Sequence, residues 1–250
     1  MELLYLIAQA LLGSVIALLG GVVFLFNRRL SSLLEKYSVS FAAGVLVTVS
    51  LVGLMPEAEH HVGELSNWIV LASFLGVYLF ERIFFEIHHH GEGEEHNHNE
   101  IKNSSVNLVI FGDTIHNFID GVAIGASFMI SPSLGLVMAF STFLHEVPHE
   151  IGDFGILLKA GWGKSKILLV NIISSLTTVL GALLVYFVTD NETINGVLMA
   201  ISAGVFLYLG ASDFLPKISE SKMNKFKSIA PLVLGSLIMI LFFLLVRHEH

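Results

Sequence analysis

Stretches of about 20 mostly apolar residues, the length a helix needs to cross the hydrocarbon core of a bilayer, recur eight times along the chain. They cover roughly residues 3–26, 38–55, 67–87, 104–130, 132–159, 165–188, 195–215 and 228–246. Short polar or Gly- and Pro-containing segments separate them. The pattern predicts an all-α polytopic membrane protein with eight transmembrane helices. Little of the 250 residues is left for anything else, so 1–250 reads as a single transmembrane transporter-sized domain. Glu2 is the only charge before the first run, which does not fit the basic start of a cleaved signal peptide.

Composition agrees. Apolar residues make up 54% of the chain and charged residues 14%, against about 25% charged in a soluble domain. A disordered chain and a soluble enzyme with an ordinary charged surface are excluded. The net charge of −8 is wrong for wrapping a phosphate backbone, so no nucleic-acid partner is expected. Without cysteine there is no disulfide and no thiolate ligand or nucleophile.

The basic residues fix an expected orientation. Arg28, Arg29 and Lys36 follow the first run, Arg82 and Lys102 flank the loop after the third, Lys159, Lys164 and Lys166 follow the fifth, and Lys217, Lys222, Lys225 and Lys227 follow the seventh. Only Arg247 falls on the other side. The positive-inside rule makes the first side cytoplasmic and both termini extracytoplasmic. Ala43-Gly44-Val45, with Pro56 beyond, returns as Ala203-Gly204-Val205 with Pro216 at the same interval. The second and seventh runs cross in opposite directions, so the match suggests inverted repeats, a transporter architecture with its site at the repeat interface.

The fourth and fifth runs break the apolar pattern. One holds Asp113, His116, Asn117 and Asp120; the other holds His145, Glu146, His149, Glu150 and Asp153. Five acids at bilayer depth cost on the order of 10 kcal/mol if uncompensated, and no Lys or Arg lies in the middle of any run. At about 100° per residue, His116 and Asp120 share one helix face, with Asp113 and Asn117 beside them, and His145 and His149 share another. Both stripes lie about 20 Å from the turn at Ser131-Pro132-Ser133, so antiparallel packing brings them side by side. A lone histidine here reads as an interhelical hydrogen-bonder and a lone aspartate as a proton relay. Three histidines and five acids in register read as a divalent-cation site.

His116-Asn117-x-x-Asp120-Gly121 and His145-Glu146-x-Pro148-His149-Glu150-x-Gly152-Asp153 resemble the paired motifs of the ZIP (Zrt/Irt-like) divalent metal transporters, in the subfamily with the HExPHExGD signature. The resemblance implies a 3+2+3 arrangement of helices and transport of Zn2+ into the cytoplasm, with Fe2+, Mn2+, Co2+ or Cd2+ as related substrates. It implies one or two metals: one on His116, Asp120, His145 and His149, a second on Asn117, Asp120, Glu146 and His149. The sixth run offers only Asn171, Ser174, Ser175, Thr177 and Thr178 to support the second. The expected location is a cell (plasma) membrane, in lipid, with a homodimer left open.

Two flanking segments add to the picture. Glu57, Glu59, His60, His61 and Glu64, in the outer loop after the second run, read either as an acidic mouth that gathers cations or as a solvated acidic loop. The inner segment 88–103 carries His88, His89, His90, His96 and His98 among acids and reads as a flexible His-rich cytoplasmic loop for metal. No G-x-x-x-x-G-K-[ST] phosphate cradle occurs. The rival reading is an intramembrane zinc metalloprotease, since His145-Glu146-Val147-Pro148-His149 satisfies HExxH. It leaves the first motif unexplained, puts a proline between its two ligands, and has only Asp213 as a late third ligand.

Overall fold

The computed structural model describes residues 1–89, 98–220 and 224–247. Among the described residues all regular structure is helical. The first rod is α1 (Glu2–Gly13) with α2 (Leu18–Phe26). The second is α3 (Arg28–Thr48), a π-helical turn (Val49–Leu54) and α4 (Met55–Val62). Then follow α5 (Leu65–His89), α6 (His98–Ile130), α7 (Pro132–Lys159) and α8 (Lys164–Val188). The seventh rod is α9 (Glu192–Tyr208), a second π-helical turn (Leu209–Phe214) and α10 (Leu215–Glu220); α11 (Lys225–Arg247) is the eighth. These rods coincide with the eight apolar runs.

Among the described residues, five rods are long and apolar enough to cross a membrane: Glu2–Phe26, Lys36–Val62, Lys164–Val188, Glu192–Phe214 and Phe226–Val246. The other three, α5, α6 and α7, are as long at 25, 33 and 28 residues, and α6 and α7 carry the ionisable side chains of the two motifs. The molecule is apolar outside and polar inside. α8 exposes Leu169, Ile173, Leu176, Leu180 and Leu184, and α11 exposes Val233, Leu237, Leu241 and Leu244, each at helical spacing. Asp113, His116, Asn117, Asp120, His145, Glu146 and Glu150 are buried between helices. A protein whose solvent is lipid has that distribution.

The helices pair so that the first and last triplets interleave around α6 and α7. α3 packs on α11, α9 on α5, α6 on α8, and α7 on α1 and α2. The two copies of the sequence repeat occupy matching places. A side chain on Gly44 would strike the Leu232 carbonyl of α11, and one on Gly204 the Val70 carbonyl of α5. Their π-helical turns begin the same number of residues after Gly44 and Gly204 and end just before Pro56 and Pro216. Proline donates no backbone hydrogen bond and crowds the carbonyl four residues back; a wider i→i+5 turn accommodates it. The turn also keeps one stripe inward. Leu46, Ser50, Leu54 and Ala58 are buried at a spacing of four, as are Ser202, Phe206, Gly210 and Phe214, whereas in an α-helix that spacing drifts about 40° per step.

Three local outcomes differ from the sequence reading. The first run is not one helix: it breaks between Gly13 and Leu18, where the Ser14 hydroxyl donates to the Ala10 carbonyl at 2.7 Å, competing with the helical ladder. The acidic segment after the second run is the helix α4, started by Pro56 in its first turn. The histidine-rich segment is shorter than 88–103 suggests, since α5 continues to His89 and α6 begins at His98; residues 90–97, with His90 and His96, lie outside the described residues. α7 continues as one helix through Pro148.

Where α6 meets α8, a side chain on Gly121 would strike the Thr178 carbonyl, and one on Gly181 the Phe118 carbonyl. Neither backbone can yield without moving a helix. Gly121→Val should therefore destabilise the protein by about 1–3 kcal/mol, as overpacking does. Thermal unfolding in detergent micelles checks this, and an unchanged midpoint would contradict the packing.

Candidate metal centre

α6 and α7 run antiparallel from the Ser131-Pro132 turn, where the Ser131 hydroxyl caps α7 by accepting from Leu134 N–H at 3.1 Å. The helical repeat then places the two polar stripes against each other. Across the interface His116 Nε2 lies 3.0 Å from Glu146 Oε1, and His145 Nε2 lies 3.1 Å from Asp120 Oδ2. Along α6, His116 Nε2 is 3.8 Å from Asp120 Oδ2. One ligand atom from each of His116, Asp120, His145 and Glu146 falls within 4.8 Å of the others. Two ligands of one tetrahedral ion with bonds near 2.0 Å stand about 3.3 Å apart, so the spacings suit such an ion. Phe206 of α9 walls the cluster, its ring centroid 5.4 Å from His145 and 6.5 Å from His116.

The tautomer of His145 is set by its surroundings. Its Nδ1–H donates to the Ser141 carbonyl at 3.0 Å. A neutral ring then presents a lone pair at Nε2, and that lone pair faces a carboxylate oxygen. Two acceptors at that distance must share a proton or a metal ion. Donation of the other ring N–H to a backbone carbonyl is also how metal-bound histidines are oriented. Around them, both His116 ring nitrogens, Asp120 Oδ1, Glu146 Oε1 and His149 Nδ1 have no hydrogen-bond partner although buried, a condition native interiors avoid unless something fills the gap.

The other two sequence candidates stand differently. Asn117 is held by hydrogen bonds: its Nδ2 donates to Asp113 Oδ1 at 2.9 Å and to the Asp113 carbonyl at 3.1 Å, while its Oδ1 accepts from the Thr178 hydroxyl at 3.0 Å. His149 stacks on His116 at 4.7 Å between centroids, and its Nδ1 faces Asp113 Oδ1 at 3.7 Å and Asp153 Oδ2 at 3.8 Å. Asp113 and Asp153 thus join the centre, although the ligand set drawn from the motifs omits them. Asp113 is one turn before Asn117 on the same face, a signal the sequence does carry.

A cavity of about 440 Å³ opens beside the cluster, lined by His116 and His149 and, further along, by Glu81, Tyr208 and Asp213. The Tyr208 hydroxyl donates to Glu81, tying α9 to α5 across this space. Asp213 sits on the second π-helical turn and is not grouped with His145 and His149. At the other end of the molecule, His61 of α4 lies 3.4 Å from Glu57 and 3.6 Å from Glu192.

The ZIP Zinc transporter family description matches residues 102–242. Zinc transporter ZIP4 of Mus musculus is 41% identical over 109 residues, covering 44% of this chain and 16% of its own length. Zinc transporter ZIP6 of Homo sapiens is 37% identical over 134 residues, 52% of this chain and 18% of its own. Zinc transporter ZIP10 of Danio rerio is 36% identical over 121 residues, 48% of this chain and 14% of its own. The matched region spans less than a fifth of these relatives.

The centre predicts a specific binding loss. Asp120→Asn should weaken Zn2+ binding by about 100-fold or more, since disturbing even an outer partner of a ligand costs 10–100-fold. Calorimetric titration of purified protein measures it; unaltered affinity would remove Asp120 from the site.

Proposed function

The chain belongs to the ZIP zinc transporter family, and we propose that it is a secondary transporter that carries Zn2+, or a related divalent ion, across the cell membrane into the cytoplasm. His116, Asp120, His145 and Glu146 hold the ion between α6 and α7, with Asn117 and His149 completing the site on its flank. The observation that carries this reading is the His145 lone pair facing Asp120, inside an anionic cluster whose ion pairs among the described residues are all with histidine. Such a cluster is stable when a dication passes through it and strained when it does not.

The orientation follows from the basic loops, with both termini outside. Cations gather at the acidic face of α4, where Glu57 and His61 stand with Glu192. They reach the α6–α7 centre and leave along the cavity that runs from His116 and His149 to Glu81 and Asp213. Alternating access comes from the inverted repeats rocking about α6 and α7.

The protease reading finds no support. HExxH chemistry needs both histidines on one ion with the glutamate free to act as base. Here His145 faces Asp120 while His149 faces Asp113 and Asp153, and Glu146 is itself packed against His116.

Uptake into liposomes holding a zinc-sensitive dye tests the proposal. Wild-type protein should admit Zn2+ without ATP, and Asp120→Ala and His149→Ala should each lower the initial rate by about tenfold or more. Undiminished uptake in both variants would overturn the site; no uptake by the wild type would overturn the function.

A further inference from the structure

One turn along from the imidazole-lined cluster is a second convergence that the motifs do not assign. Asp113 of α6 and Glu146 and Glu150 of α7 bring one carboxylate oxygen each within 4.8 Å of one another. All three residues are buried, Glu150 to 1% exposure. Both Glu150 oxygens lack any hydrogen-bond partner. The ion pairs that Asp113 and Glu146 make among the described residues are with His149 and His116. Three carboxylates pressed together with nothing to hold one of them in place point to a missing cation, and oxygen donors alone select its character. Imidazole suits Zn2+, whereas an all-carboxylate set suits harder ions such as Mn2+ and holds Zn2+ less firmly.

The three groups of ligands share corners. Glu146 belongs both to the cluster with His116, Asp120 and His145 and to the carboxylate triangle; Asp113 belongs both to that triangle and to the group with His149 and Asp153. The sequence of groups leads from full burial toward the partly open His149 and Asp153, whose side chains are 20% and 13% exposed. We propose that Asp113, Glu146 and Glu150 form a second divalent-cation station, built of oxygen alone, which receives the ion from the imidazole-lined cluster through Glu146. Its place on the transport path rests on the transporter reading; its existence as a binding site does not.

The test uses full-length protein in nanodiscs and Mn2+ as probe, read by electron paramagnetic resonance. Glu150→Gln is the decisive variant, because the Glu150 carboxylate makes no hydrogen bond that the fold could lose. It should weaken Mn2+ binding about 10–100-fold while Zn2+ binding at the histidine cluster stays within about threefold of wild type, a change below 1 kcal/mol. The double variant His116→Ala/His145→Ala should do the reverse, losing Zn2+ affinity and keeping the Mn2+ signal. Asp113→Glu, which retains the carboxylate, should keep Mn2+ binding where Asp113→Asn does not. Glu150→Gln with unchanged Mn2+ affinity and an unchanged melting temperature would overturn the station. In liposomes Glu150→Gln should also slow Zn2+ uptake. Wild type that binds Mn2+ as described yet takes up no Zn2+ would leave the station standing and overturn the transporter reading instead.

Discussion

Five carboxyl groups and three imidazoles line the facing sides of α6 and α7, six of the eight buried, and much of the rest of the molecule follows from keeping them there. Lipid cannot solvate them, so α6 and α7 must be enclosed. α8, α1, α2, α3 and α9 supply the enclosure, and their own outward faces are left free to be apolar. The distribution inverts that of a soluble protein. The polar side chains gather in the interior, and the apolar exterior suits residence in the bilayer.

Enclosure requires close approach, and the chain achieves it with small residues. Gly121 and Gly181 bring the backbones of α6 and α8 into contact beside Asn117 and Thr178. Gly44 and Gly204 do the same for the two copies of the repeat. In lipid, where apolar side chains gain little by leaving one apolar solvent for another, contacts of this kind and interhelical hydrogen bonds hold helices together. The Tyr208–Glu81 and Thr178–Asn117 bonds are two of the latter.

The eight helical rods were legible because each is a long apolar run, and the centre was legible because ionisable residues in such runs are rare and these fall on one face. The break after Gly13 was not, since Gly-Ser is tolerated in membrane helices and marks no stop by itself. The π-helical turns were not either; the recurring proline hinted at a disturbance without specifying its form. Helical spacing placed His145 and His149 on one face and so suggested a shared ion. It could not say which carboxylate each ring nitrogen meets, because that depends on the relative height of α6 and α7. The Glu81–Tyr208 contact joins residues far apart in sequence and left no local trace.

The first π-helical turn lies beside the Ser131-Pro132 end of the central hairpin, with Val52 and Gly53 lining a cavity shared with Ile130 and Ser133. The second lies at the opposite end, where Leu209 and Asp213 approach Glu81. A helix is least stiff where its ladder of hydrogen bonds is interrupted. Each terminal triplet therefore carries a compliant joint on a different side of the centre, while α6 and α7 run unbroken between them. On the transporter reading, such a frame lets one mouth yield while the other holds, so that the interior need never be open to both compartments at once.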